Sequence, residues 1–255
     1  MALIRPTTGS APLWFRTRGG PSSARVRLVC FPHLGAGASV YARWQDLLGP
    51  GVEVAAAEPP GHEARMSEPP WTSLPALADA AAEELDRAGG PPLVLYGHSL
   101  GAYLAYECAV RLEHSGGGPL HLVVSGAVAP RHARAGLPAD ADPVEWVTRL
   151  GGMPPELLAQ PELLDLFTPA IRADFTALAG YHPSTAALPC PITALHGAQD
   201  HSVRPELLRD WAELTSATFT SHTFPGGHFF PFPPPGSPHL VTEHLARLLA
   251  RTAAR

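Results

Sequence analysis

The sequence has 255 residues, of which 45% are hydrophobic and 16% charged, and this is typical of one large globular domain or two small ones. The formal net charge is −5, with 18 basic residues against 23 acidic ones, which argues against a nucleic-acid-binding protein. All 18 basic residues are Arg, because the sequence contains no Lys. This excludes Schiff-base enzymes, P-loop proteins and protein kinases that depend on a lysine.

The spacing of the cysteines and the length of the apolar runs indicate the cellular compartment of the protein. Cys30, Cys108 and Cys190 lie far apart, which fits neither a disulfide framework nor a metal site and is typical of a reducing environment. No signal-peptide pattern is evident, and no apolar run approaches the roughly 18 residues of a membrane span. We therefore expect a cytoplasmic protein with no membrane partner.

Short apolar strands alternate with helices along most of the chain. We predict strands at 13–17, 25–32, 52–59, 92–97, 121–128, 190–197 and 218–224. Helical spacing is present at 40–48, 73–89, 100–118, 205–214 and 239–251. This alternation predicts an α/β protein with a mostly parallel central sheet and helices on both faces.

The alternation is interrupted once, between residues 129 and 188. This stretch has several helical pieces and no strand pattern, which predicts a helical insertion within a single domain spanning 1–255. Such insertions commonly cover an active site, so we interpret 129–188 as a helical lid. The alternative is that these helices are additional scaffold.

A G-x-S-x-G motif at 97–101 directly follows one predicted strand and directly precedes a helix. A serine in this context occupies a sharp bend that presents its hydroxyl at the carboxyl edge of the sheet. Ser99 is therefore the candidate nucleophile. The alternative is an ordinary strand–helix turn with an incidental serine.

A serine nucleophile needs a base, and the base needs an acid that orients it. In this architecture the chain order is serine, acid, histidine. Asp200 follows the strand at 190–197, although a turn or N-cap role is its alternative, and His228 lies in a Gly-rich segment after the last strand. His222 lies inside that strand and is a poorer candidate. We predict that Ser99, Asp200 and His228 form a catalytic triad.

Acyl-transfer chemistry also needs two N–H donors for the oxyanion. We expect one from Leu100, directly after the nucleophile, and one from the loop after the first long strand, where Leu34 is preferred over Gly35. The alternative for this loop is a simple strand-to-helix turn. No histidine pair shows the H-x-x-x-H spacing of a helical zinc site, so we expect no metal.

With these residues in place, the chain resembles the α/β-hydrolase superfamily and, more narrowly, the type II thioesterases that accompany polyketide and nonribosomal peptide synthases. The resemblance rests on LVCFPHLGAGAS at 28–39, EPPGHEAR at 58–65, LYGHSLGAYLAYE at 95–107 and FPGGHFF at 224–230. It spans nearly the whole chain, from about residue 12. Leu34 and His62 depart from the family pattern, which usually has a small residue after FPH and an arginine in a PGR turn.

The resemblance implies a thioesterase that removes stalled or aberrant acyl groups from the phosphopantetheine arm of acyl or peptidyl carrier proteins. The expected partners are carrier domains of a synthase, no cofactor is implied beyond the arm that the substrate carries, and a monomer is the favoured oligomeric state. The insertion would then shape the acyl pocket. The candidate lining residues, each of which could equally pack the insertion onto the body, are Trp146, Leu150, Met153, Leu166, Phe167 and Phe175.

Other functions stay open at this stage. The same residues suit a carboxylester hydrolase, a thioesterase that releases a finished product, or an acyltransferase in which an alcohol or amine replaces water. A catalytically inactive binding module is the least favoured alternative, because the order of serine, acid and histidine is intact.

Overall fold

The computed structural model describes residues 14–17, 23–134, 137, 141–153, 155–234 and 236–254. Within these residues, seven strands form one sheet in the order β1-β3-β2-β4-β5-β6-β7. The strands are β1 (Phe15–Thr17), β2 (Val26–Phe31), β3 (Val52–Ala57), β4 (Leu93–His98), β5 (His121–Ser125), β6 (Ile192–Gly197) and β7 (Phe219–Phe224). Strands β2 to β7 are parallel, and β1 pairs antiparallel with β3 at one edge. The predicted mostly parallel sheet is confirmed.

Helices occupy the connections between the strands. They are α1 (Trp44–Leu48), α2 (Leu74–Ala88), α3 (Leu100–Ser115), α4 (Pro143–Arg149), α5 (Pro155–Leu158), α6 (Pro161–Ala179), α7 (Pro205–Leu208) and α8 (Leu240–Thr252). Two segments that we expected to be single helices include tighter 3-10 turns. One, Ala38–Tyr41, precedes α1, and the other, Arg209–Leu214, continues α7. Across the described part of the chain, no helix is both long and apolar enough to span a membrane.

The buried hydrophobic residues that the structure describes form two clusters, and alternate residues of β2 belong to different ones. Val29 and Phe31 belong with α2 and α3, whereas Leu28 and Cys30 belong with α1 and α8. Because successive side chains of a strand point to opposite faces, helices cover both faces of the sheet, as predicted. This double burial explains why the strands are almost continuously apolar in sequence.

The stretch between β5 and β6 is helical. Where it is described, it contains α4, α5, α6 and a 3-10 turn at Pro130–His132, and it adds no strand to the sheet. Val147 of α4 and Leu178 of α6 are buried in the cluster formed with α2 and α3. Residues 135–136, 138–140 and 154 of the expected insertion lie outside the described residues. The action of the insertion as a lid and the single-domain organisation of 1–255 stay predictions.

The parallel arrangement determines where the site lies. The carboxyl ends of β2 and β4 are adjacent, with Phe31 opposite Gly97, and those of β6 and β7 are adjacent, with Gly197 opposite Phe224. Because parallel strands end at the same edge, the segments that follow these four strands converge there.

Candidate active site

Ser99 occupies the bend between β4 and α3. Its φ and ψ are 55° and −120°, a backbone conformation that residues with side chains rarely adopt. Strained backbone of this kind is concentrated at functional sites. The N–H of Ser99 donates to the carbonyl oxygen of Ser125 at 2.8 Å, which ties the bend to β5. The sequence motif therefore produces the bend that it predicts.

Ser99, His228 and Asp200 form a hydrogen-bonded line. Ser99 Oγ lies 3.0 Å from His228 Nε2, and His228 Nδ1 lies 2.7 Å from Asp200 Oδ2. Since a carboxylate only accepts hydrogen bonds, Nδ1 carries the proton, and Nε2 of the neutral ring is free to accept from the serine hydroxyl. The structure thus brings together the three residues predicted as a triad, and their geometry suits a nucleophile, a base and an orienting acid.

Ser202 supports Asp200 in this line. Its N–H and its hydroxyl both donate to Asp200 Oδ1, at 2.9 and 2.6 Å, and its Oγ lies 3.1 Å from His228 Nδ1. Burial by itself raises the pKa of Asp200, but the hydrogen bond and charge of His228 and the hydrogen bonds from Ser202 outweigh burial and lower that pKa. The carboxyl group is therefore held in the ionised form that an imidazolium needs beside it.

Two more histidines lie near His228. The ring of His98 is centred 5.1 Å from that of His228 and 6.0 Å from that of His33. Burial lowers the pKa of His98 well below its usual range and lowers the pKa of His33 to about 4. Both rings are therefore neutral near pH 7, and neither places a full positive charge beside the candidate base.

The two expected oxyanion donors belong to α3 and to the loop after β2, which touch at the start of α3. Leu100 is the first residue of α3, where helix N–H groups are free and the helix dipole is positive. Leu34 is buried in the loop after β2. This loop contacts the start of α3, because a Cβ atom on Gly101 would lie 2.5 Å from the carbonyl oxygen of Pro32. Leu100 and Leu34 stay the predicted donors.

A cavity of about 390 Å³ is lined by Ser99 and His228, and we name it the Ser99 cavity. Its volume is typical of a small-molecule site. Its apolar lining includes Leu100, Tyr103, Val128, Leu137, Trp146, Leu150 and Leu178. Its polar lining includes His132, His201, Ser202 and Arg204. An acyl chain can therefore contact the apolar lining residues while its carbonyl group lies at Ser99.

A second cavity of about 470 Å³ is lined by the loop after β2, by Phe229 and by the insertion. The predicted pocket residues divide between the two cavities. Trp146 lines the Ser99 cavity, whereas Met153 and Phe167 line the second cavity and do not reach the first. The reason is that α6 packs on the loop after β2 at Ile171, which faces the second cavity as well.

Of the remaining pocket candidates, one lines the Ser99 cavity and two line neither cavity. Leu150 lines the Ser99 cavity. Phe175 packs edge-on against Trp146, with ring centroids 5.9 Å apart, and so supports the cavity wall from behind. Leu166 is 54% exposed and lines neither cavity.

The three cysteines are buried free thiols. Burial raises the pKa of each of them, so none is a reactive thiolate near pH 7. Among the residues that the structure describes, no three His, Cys, Asp or Glu side chains are grouped to hold a metal ion. The expectation of a metal-free and cofactor-free site stays a prediction.

Comparison with known proteins identifies the family. Residues 26–248 match the family model described as a thioesterase domain. The chain belongs to the thioesterase family. The gramicidin S biosynthesis protein GrsT of Aneurinibacillus migulanus is 34% identical to this thioesterase over 223 residues, which cover 85% of this chain and 87% of that protein.

Other matches agree. The probable cadicidin biosynthesis thioesterase of Streptomyces griseus is 37% identical over 240 residues, which cover 92% of this chain but 64% of the length of that protein. The structure of the type II thioesterase BorB from the borrelidin biosynthetic cluster superimposes with a TM-score of 0.81 at 30% identity, covering 96% of this chain and 99% of that one. The predicted family, the α/β-hydrolase fold class and the class of enzyme, a thioester hydrolase, are confirmed.

Proposed function

We propose that this thioesterase hydrolyses acyl groups from the phosphopantetheine arm of acyl or peptidyl carrier proteins, and so removes stalled or aberrant units during polyketide or nonribosomal peptide biosynthesis. The observation that carries the chemistry is the line from Ser99 through His228 to Asp200 beside the Ser99 cavity. The biosynthetic context is supported by relatives whose names refer to gramicidin S and borrelidin.

The first half-reaction acylates the serine. Ser99 Oγ bonds to the thioester carbonyl carbon while its proton moves to His228 Nε2, and the carbonyl electron pair moves onto oxygen. The N–H groups of Leu100 and Leu34 donate to this oxyanion. When the oxyanion collapses, the C–S bond breaks and the sulfur takes the proton from His228. A thiol, with a pKa of about 8.5, leaves more readily than an amine.

The second half-reaction releases the acid. Water bonds to the acyl carbon and gives a proton to His228 Nε2, and that proton passes to Ser99 Oγ as the ester C–O bond breaks. Asp200 stabilises the imidazolium in both halves without taking its proton. The products are a carboxylic acid and a free thiol, and the sequence of steps uses no metal or organic cofactor.

The partner assignment is supported by charge at the cavity. Arg204 lines the Ser99 cavity, its side chain is 63% exposed, and its Nε lies 4.0 Å from the carboxylate of the exposed Glu206. A guanidinium in this position can pair with the acidic surface that is usual for carrier proteins. We place the reaction in the cytoplasm, where cysteines stay reduced as in this chain.

The test is incubation of the enzyme with a panel of acyl-loaded carrier proteins, followed by intact mass measurement. We expect loss of the acyl mass, and a decrease of at least about 10³-fold in rate for Ser99→Ala. Acyl-CoA, simple esters and alcohol or amine acceptors serve as competing substrates. Near-normal hydrolysis by Ser99→Ala would refute the mechanism, and preferred turnover of simple esters would refute the substrate assignment.

A further inference from the structure

A buried ionic contact joins the insertion to the loop that carries Leu34. Asp174 of α6 is 4% exposed, and its Oδ2 accepts a hydrogen bond from the N–H of Gly35 at 2.8 Å and lies 3.1 Å from His62 Nε2. We propose that Asp174 and His62 are positioning residues that hold this loop in the conformation in which the Leu34 N–H stabilises the oxyanion. The inference rests on the proposed serine mechanism.

The contacts of His62 determine its charge. Nδ1 lies 3.1 Å from the carbonyl oxygen of Pro60, and Nε2 lies 3.1 Å from the carboxylate of Asp174. Both partners only accept hydrogen bonds, so both ring nitrogens carry protons when both bonds are made. Burial lowers the pKa of His62, but the charge and hydrogen bond of Asp174 outweigh burial and raise it. The two contacts and the raised pKa both favour the imidazolium form of His62 beside Asp174.

Each partner of this pair needs the other. His62 is 3% exposed and Asp174 is 4% exposed, so neither charge is stabilised by bulk water. Removing one partner of a buried pair leaves the other charge uncompensated, which is strongly unfavourable. The pair therefore holds α6 and the segment around His62 in one relative position, and the Gly35 N–H shares the same carboxylate oxygen.

The Gly35 contact fixes the backbone of Leu34. Because the peptide unit is planar, a fixed Gly35 N–H fixes the plane of the Leu34–Gly35 peptide, including the carbonyl group of Leu34. This plane is joined through the Leu34 Cα to the preceding peptide, which carries the donor N–H of Leu34. Gly35 has a φ of +76°, and a Cβ atom on it would lie 2.7 Å from Ile171 Cγ1, so the loop is also packed tightly on α6. Small movements at Asp174 are thus transmitted to the donor residue next to Gly35.

Glu63, the neighbour of His62, fixes the other end of this loop. Its carboxylate accepts hydrogen bonds from the hydroxyl of Ser39 at 2.6 Å and from the N–H of Ser39 at 3.1 Å. Glu63 has a φ of +42°, a strained conformation that a non-glycine residue keeps only where its surroundings impose it. His62 and Glu63 therefore hold the loop near Gly35 and at Ser39, respectively.

The test compares matched charge removals on one helix. Asp174→Asn keeps the shape of the side chain and removes its charge, and Asp165→Asn makes the same change at an exposed position of α6. We expect Asp174→Asn to lower kcat on an acyl-pantetheine thioester by about 10–100-fold, less than the loss of a whole oxyanion donor, with KM within about twofold. Asp165→Asn keeps the wild-type kcat.

Variants of His62 separate positioning from folding. His62→Gln removes the positive charge and lowers kcat as Asp174→Asn does, whereas His62→Arg restores a permanent cation for Asp174 and recovers kcat in part. The melting temperature and circular dichroism of each variant show whether it is folded. If Asp174→Asn does not fold, the comparison of His62→Gln with His62→Arg decides the question.

Two inhibitors separate an oxyanion effect from a general one. A boronic acid that adds to Ser99 forms a tetrahedral adduct, and we expect its affinity for each variant to fall by the same factor as kcat/KM. A thioether analogue of the substrate forms no oxyanion, so we expect it to bind all variants with equal affinity. If Ser99→Ala is inactive, either of two results would overturn the inference: an unchanged kcat in folded Asp174→Asn, or an equal loss of affinity for both inhibitors. Full activity of Ser99→Ala would overturn the proposed function instead.

Discussion

Gly97 and Gly101 flank the bend that carries Ser99, and the backbone packs so closely there that neither has room for a side chain. A Cβ atom on Gly97 would lie 2.0 Å from the carbonyl oxygen of Gly101, and one on Gly101 would lie 2.2 Å from the carbonyl oxygen of Phe31. The obstacles are backbone atoms, so no side-chain rotation relieves them. The nucleophile bend, the start of α3 and the loop after β2 are consequently one closely fitted assembly.

This assembly makes Gly101→Ala a severe change. The new Cβ separates α3 from the loop after β2, and we expect the free energy of unfolding to fall by about 3 kcal/mol, the upper range for an overpacked site. We expect activity to fall by at least about 100-fold in the folded fraction, because displacement of a reacting group by about 1 Å costs this much. Urea denaturation and thioester hydrolysis measure the two effects.

Gly51→Ala is the matched control. Among the described residues, a Cβ atom on Gly51 has only the Arg25 side chain within 4 Å, at 3.9 Å. We therefore expect Gly51→Ala to change the free energy of unfolding by less than about 0.5 kcal/mol. Equal stability of the Gly51→Ala and Gly101→Ala variants would show that the close approach at Gly101 is not a constraint.

The line from Ser99 to Asp200 could be predicted from sequence because each member follows a strand whose apolar run is plain. The carboxyl ends of parallel strands meet at one edge, so strand order alone brings Ser99, Asp200 and His228 close together. Ser202 carried a local signal that was missed. It lies two residues after Asp200, the spacing at which an aspartate side chain accepts from the backbone in an Asx turn.

Other parts of the site depend on tertiary contacts that leave no local pattern. Met153 and Phe167 have the apolar character of pocket residues, but the packing of α6 on the loop after β2 decides which cavity they line. Asp174 and His62 are 112 residues apart and belong to elements whose contact cannot be read from periodicity. The sequence therefore predicts the chemistry better than the shape of the pocket.

Ser202→Ala tests the support of the orienting acid. The variant removes the hydroxyl hydrogen bond to Asp200 Oδ1 and keeps the one from the backbone N–H, so the carboxylate is less firmly oriented toward His228. We expect kcat to fall by about tenfold, well short of the roughly 10⁴-fold that loss of the correct tautomer costs in other triads. Ser221→Ala, an exposed change in β7, is the control and keeps wild-type kcat. Wild-type activity in Ser202→Ala would show that Asp200 does not need the hydrogen bond from the Ser202 hydroxyl.

The His62–Asp174 pair predicts a decline of kcat on the alkaline side. The pKa of His62 is raised, so the pair is complete below the usual histidine value of about 6.5 and is lost as pH rises through the raised value. Glu63 adds a carboxylate that favours the same charged form, and His33 is neutral because burial lowers its pKa to about 4. The pH profile of kcat and the melting temperature over the same range measure this decline.

Arginine at position 62 serves as the control for that profile, since its guanidinium does not lose its proton in this range. We expect His62→Arg to keep its kcat and its melting temperature at alkaline pH, where the wild-type enzyme loses both. Identical alkaline limbs for the two proteins would exclude His62 as their cause.

The division between the two cavities predicts which residue controls acyl-chain length. Trp146 lines the Ser99 cavity, so Trp146→Ala enlarges it, whereas Met153→Ala enlarges the second cavity. One methylene in an apolar pocket changes kcat/KM by about tenfold or more, so Trp146→Ala should shift the preference toward longer chains by at least that factor. Met153→Ala should keep the wild-type preference. A shift caused by Met153→Ala alone, measured on a series of acyl-pantetheine thioesters, would place the acyl chain in the second cavity, which the loop that carries Leu34 also lines.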